Sequence, residues 1–94
     1  MIVGFQSEQT KRIFDGFGSR HYPPDIQKIA LRKLLMIDAA TSVNDLRIPP
    51  GNRLEKLAGD RQGQYSIRIN DQWRICFVWT DENNADQVEI VDYH

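Results

Sequence analysis

Between the proline pairs Pro23-Pro24 and Pro49-Pro50, apolar residues Ile26, Ile29, Ala30, Leu34 and Ile37 follow the three-and-four spacing of one helical face, widened by Leu31, Leu35 and Met36. This is one face of a helix over residues 25–40, bracketed by residues that cannot sit in a helix interior. Residues 7–18 predict a shorter helix, with Ser7 as N-cap and Gly16 or Gly18 available to stop it. Residues 1–6 ahead of it predict a brief strand. From residue 52 the period changes to two. Tyr65, Ile67 and Ile69 alternate with Gln64, Ser66, Arg68 and Asn70, and Trp73, Ile75, Phe77 and Trp79 alternate with Arg74, Cys76 and Val78. A three-residue loop at Asn70-Asp71-Gln72 pairs Ile69 with Trp73 and Ile67 with Ile75, keeping the aromatic face continuous; a two-residue loop would mix the faces. An acidic, Asn-rich turn at residues 81–86 precedes a last strand at 88–91.

The pattern predicts an α+β fold: an N-terminal strand and two helices packed on one face of a mostly antiparallel, twisted sheet. No repeat, low-complexity tract or linker divides the chain, so residues 1–94 are expected to form a single domain. The sheet face left over carries Ser66, Arg68 and Arg74. The odd loop sets Arg68 directly opposite Arg74, and two like charges so placed repel unless an anion lies between them. This is the first sign of a phosphate site.

Composition narrows the classes. The chain has 94 residues, one cysteine and a net charge of −1. No apolar stretch approaches the ~20 residues of a membrane span, and the N-terminus lacks a secretory pattern, so a cytoplasmic protein is expected. A lone Cys76 and two histidines in poor spacing give no internal disulfide, zinc cluster or metal site, and no cofactor is expected. Charge is uneven: residues 1–80 hold all 12 basic residues against 8 acidic, a net of +4, while residues 81–94 hold 5 acidic and no basic residue, a net of −5. A basic body with an acidic end can offer a local cationic surface to phosphate.

Three constellations can carry chemistry. Arg68 and Arg74 each offer a planar, permanently charged fork suited to phosphate oxygens, unless they bridge to Glu55, Asp60 or Asp92. Asp92, Tyr93 and His94 place a carboxylate, a phenol and an imidazole on three consecutive residues, types suited to proton transfer and base stacking. Arg53, Lys56 and Arg61, between Gly51 and Gly63, could follow an RNA backbone; the segment lacks the Gly-Lys-Ser/Thr ending of a nucleotide-cradling loop, which excludes an ATPase or GTPase of that type.

Three strings together resemble a known family: residues 49–60 (PPGNRLEKLAGD), residues 63–77 (GQYSIRINDQWRICF) and the ending VEIVDYH at 88–94, with the helical residues 29–40 between the prolines. They resemble the HigB-type killer toxins of bacterial toxin–antitoxin systems, in the RelE/ParE superfamily, over essentially the whole chain. The resemblance implies a small α+β toxin that cleaves messenger RNA in the ribosomal A site, on the 30S subunit beside 16S rRNA, without a metal. It implies a helix-turn-helix antitoxin of HigA type as partner, with operator DNA reached only through that antitoxin. It carries catalytic roles onto Arg74, Asp92, Tyr93 and His94. Where some members have His and Lys in the preceding segment, this chain has Glu55 and Ala58, which leaves Glu55 as an outside candidate for the general base. Arg68, Arg53, Lys56 and Arg61 are the expected RNA contacts. ParE-like relatives that poison gyrase by binding, and a chain serving mainly as corepressor, are the alternatives. The expectation is spatial: the arginines of the uncovered face and the last three side chains should converge.

Overall fold

A computed structural model of the chain describes residues 1–93. Helix α1 spans Glu8–Phe14, and the Ser7 hydroxyl caps it by accepting the Thr10 N–H at 3.2 Å. It ends in a Schellman turn: Gly16 N–H donates to Ile13 and Phe17 N–H to Arg12, with Gly16 at φ +87°, a conformation glycine adopts without strain. Helix α2 spans Pro24–Ala39, with Pro24 in its first turn, where its missing N–H costs nothing. Its buried face is Ile26, Ala30, Lys33, Leu34 and Ile37. Leu35, expected to widen the apolar face, is half exposed.

Strands β1 (Glu55–Lys56), β2 (Gln64–Arg68), β3 (Trp73–Trp79) and β4 (Ala85–Asp92) form an antiparallel sheet in the order β1-β2-β3-β4. The β2–β3 register is the one the odd loop predicts: Ile67 faces Ile75 and Arg68 faces Arg74. Asn70 holds the turn, its Oδ1 accepting the N–H groups of Gln72 and Trp73 at 2.9 and 2.8 Å.

The chain departs from expectation at β4 and its neighbour. β4 begins at Ala85, three residues before the expected start, because a bulge shifts the register against β3 between Cys76 and Val78. Gln87 there has φ +51°, so the buried Ala85 and Val88 are three residues apart and the period of two fails. The expected strand at residues 1–6 is reduced to two parallel bridges, Ile2 with Ala85 and Phe5 with Val88. Between them Gly4 sits so close to Asp86 that a Cβ would lie 2.2 Å from its Oδ1.

Both helices cover the face carrying Ile67, Ile69, Ile75, Phe77 and Ile90. Buried Thr10 fastens α1 to the edge of β4: its hydroxyl accepts the Ile90 N–H at 3.0 Å and lies 3.1 Å from the Tyr22 hydroxyl. The opposite face corrects the expectation of a solvent-facing surface. Ser66 and Cys76 have no exposed area and Arg74 is 8% exposed. The segment between α2 and β2 crosses this face, with Leu57 and Asn52 buried in it. Among the described residues no helix is long and apolar enough to cross a membrane.

Candidate active site

Four strands set a row of polar side chains across the helix-free face. Glu55 pairs with Ser66, Ser66 with Cys76, and Cys76 with Glu89, so these four residues lie side by side from edge to edge. An arginine is anchored at each side of the buried cysteine.

Arg74, next on β3, donates from Nε to Ser66 Oγ at 2.8 Å and from Nη2 to the Arg53 carbonyl at 2.7 Å and the Ser66 carbonyl at 3.3 Å. The Arg53 carbonyl is aimed there because Arg53 closes a short 3-10 turn, Pro50–Asn52, in the left-handed conformation (φ +46°). Buried Asn52 fixes that turn: its Nδ2 donates to the Leu46 carbonyl at 3.2 Å, and the buried ammonium of Lys33, reaching from α2, donates to its Oδ1. Burial, with Arg32 and Arg68 nearby, lowers the Lys33 pKa. Glu55, on the exposed edge strand, holds its carboxylate 3.6 Å from Arg74 Nη2. The Tyr93 ring, 44% exposed, lies over the guanidinium with 5.5 Å between ring centroid and Cζ. Arg74 is therefore fixed on one edge by hydrogen bonds and roofed by an aromatic ring.

On the far side of Cys76, Arg61 donates from Nη1 to Gln64 Oε1 at 3.0 Å and to Glu89 Oε1 at 2.9 Å, bridging β2 to β4. The bond to Glu89 raises the Arg61 pKa. Burial pushes the Cys76 thiol up, with both arginines opposing, and the thiol has no exposed area.

Other expected site residues lie elsewhere. Arg68 turns to the hairpin loop and pairs with Asp71 at 2.5 Å, so the two opposed arginines are relieved by separate protein partners and do not share an anion between them. Lys56 pairs with Tyr65, placing it on the helix side, away from Arg74. The Arg53 side chain is exposed, and it is its carbonyl that enters the site. Asp92 faces Trp73 in the ladder, on the helix side, and accepts from Gln72 Nε2 at 3.0 Å. Consecutive strand residues alternate faces, so Tyr93 reaches Arg74 while Asp92 does not, and the expected convergence of the last three side chains is corrected to that extent. His94 lies outside the described residues. Sequence reasoning missed Glu89, Lys33 and Asn52. The register that sets Glu89 beside Cys76 would have marked the first; no periodic signal marks the other two. Among the described residues, no group of three or more His, Cys, Asp or Glu could hold a metal ion.

Comparison with known proteins adds to this geometry. Residues 3–94 match the family model described as the RelE-like toxin of type II toxin–antitoxin system HigB. The chain belongs to the HigB-like toxin family. Among family relatives, it is 50% identical to Toxin HigB-1 of Vibrio cholerae over 82 residues, 86% of each chain. It is 34% identical over 95 residues, the full length of both, to Endoribonuclease HigB of Proteus vulgaris. In backbone it is similar to a chain of the YoeB–YefM complex of Staphylococcus aureus, with a TM-score of 0.61 at 23% identity, covering 100% of this chain and 98% of that one. The α+β fold of this HigB-like chain is thus shared with a toxin–antitoxin complex.

Proposed function

We propose that this chain is the toxin of a type II toxin–antitoxin pair, an endoribonuclease that cuts messenger RNA on the ribosome. Family membership and the name of the Proteus vulgaris relative support the toxin and ribonuclease parts. The observation that carries the mechanism is Arg74 anchored beneath Tyr93 with the Glu55 carboxylate beside it.

Cleavage through the ribose requires a base to take the 2′-OH proton as that oxygen attacks phosphorus. It requires a cation for the charge developing on the non-bridging oxygens, and an acid to protonate the 5′-oxygen as its bond to phosphorus breaks. The products are a 2′,3′-cyclic phosphate and a free 5′-OH. Arg74 supplies the cation, with Arg61 behind it. Tyr93 stacks on a base or positions the ribose. Glu55 and His94 are the proton-transfer groups. Arg53, Arg68 and Lys56 contact RNA farther out. A set this spare leaves alignment of the RNA to the ribosome, at the 30S A site beside 16S rRNA. The partner that silences the single domain is a helix-turn-helix antitoxin of HigA type, which alone meets operator DNA, and the pair acts in the cytoplasm.

Expression followed by mapping of mRNA 5′ ends tests this reading. Breaks at the A-site codon are expected. Supercoiling defects with intact mRNA would indicate a gyrase poison, and no growth defect would indicate a corepressor; either outcome overturns the nuclease.

A further inference from the structure

Arg61 and Glu89 form the least explained part of the helix-free face. Arg61 lies in the segment before β2, yet its guanidinium passes Cys76 on β3 to reach Glu89 on β4. Nη1 is doubly engaged, by Gln64 and Glu89, whereas Nε and Nη2 have no hydrogen-bond partner among the described residues. The Arg61 side chain is 35% exposed, so those donors can meet solvent or a ligand, while that of Glu89 is 22% exposed and is spent on Arg61. Arg61 is within electrostatic reach of both Cys76 and Tyr93. Arg74 is the reverse case: 10% exposed at its side chain, with Nε and Nη2 committed to protein oxygens. One arginine is a fixed floor beneath Tyr93. The other is a tethered fork with free donors.

We propose that Glu89 is a positioning residue for RNA cleavage: its carboxylate holds Arg61 across β3 so that the free edge of the Arg61 guanidinium meets a phosphate oxygen of the RNA strand lying on Tyr93. This rests on the nuclease reading above. A long arginine on a loop would otherwise sample many rotamers and lose entropy on meeting the phosphate; the bond to Glu89 removes that cost in advance. A carboxylate so close also weakens the attraction of Arg61 for a distant anion, so Glu89 favours a specific pose over general RNA affinity.

The test is single-turnover cleavage of ribosome-bound mRNA by full-length toxin, with the melting temperature of each variant recorded. Arg61→Ala should lose on the order of 10²-fold in rate, the scale of one lost charge-stabilising donor. Glu89→Ala should lose about tenfold, since Arg61 remains but is no longer held. Glu89→Gln should fall between Glu89→Ala and wild type, because its amide oxygen still accepts from Arg61, and it serves also if Glu89→Ala folds poorly. The losses should appear in the rate at saturating ribosomes, with the half-saturating ribosome concentration within about twofold of wild type. In the double variant, Glu89→Ala should add nothing to Arg61→Ala, the sign that it acts through Arg61. Wild-type protein that leaves mRNA whole would overturn the nuclease reading and this inference with it. Active wild type with a Glu89→Ala variant that is equally fast or faster, or additive losses in the double variant, would overturn the positioning role alone.

Discussion

On the helix side of the sheet, Ile67, Ile75 and Phe77 are buried by shape and apolar area; on the other side Ser66 and Cys76 are buried as fully and Arg74 nearly so, with Arg74 hydrogen-bonded to Ser66 and to the Arg53 carbonyl of a connecting segment. The same strands build both faces from alternate residues. The first face fixes the fold and tolerates only changes of similar volume. The second holds a charge in a dry setting, where every lost partner exposes the cost of burying it. If Arg74 is the reactive cation, as proposed, stability and activity are coupled on this face and separable on the other.

Phe77→Ala breaks the comparison from the apolar side. Phe77 is fully buried, and truncation should cost about 3–5 kcal/mol, read as a large fall in melting temperature, with cleavage by the remaining folded fraction unchanged. Ser66→Ala probes the polar side. It removes the acceptor for Arg74 Nε and should cost about 1–3 kcal/mol while also slowing cleavage, a joint loss that chemical denaturation and an in vitro translation assay would read together. Arg68→Ala sharpens the contrast with the smallest effect. Its partner Asp71 is exposed, so stability should change by no more than about 1 kcal/mol, and cleavage should stay within severalfold of wild type. A loss as large as that of an Arg74 variant would put Arg68 in the reaction itself.

The apolar face was legible because helices and strands announce themselves by period: the face of α2, the odd hairpin loop and the pairing of Arg68 with Arg74 all follow from it. The polar face was half legible. Arg74, Tyr93 and Glu55 could be named from residue type and family resemblance, but nothing periodic tells that the Arg53 carbonyl accepts from Arg74, or that Lys33 reaches from a helix to steady the turn at Pro50–Asn52. Glu89 was hidden by the bulge at Gln87, which breaks the alternation that would have set the register of β4. Asp92 was placed by adjacency to Tyr93, and adjacency on a strand puts neighbours on opposite faces.

In the proposed mechanism the guanidinium of Arg74, held under Tyr93, stabilises the charge that develops as RNA is cut. Single-turnover cleavage of ribosome-bound mRNA by Arg74→Ala and Arg74→Lys, with the melting temperature and antitoxin binding of each measured alongside, tests it most directly. Folded, antitoxin-binding variants that have lost 10²-fold or more in rate are expected, on the order of one charge-stabilising donor, with lysine recovering little because it lacks the planar fork. A folded Arg74→Ala protein that cuts mRNA at the wild-type rate would contradict it.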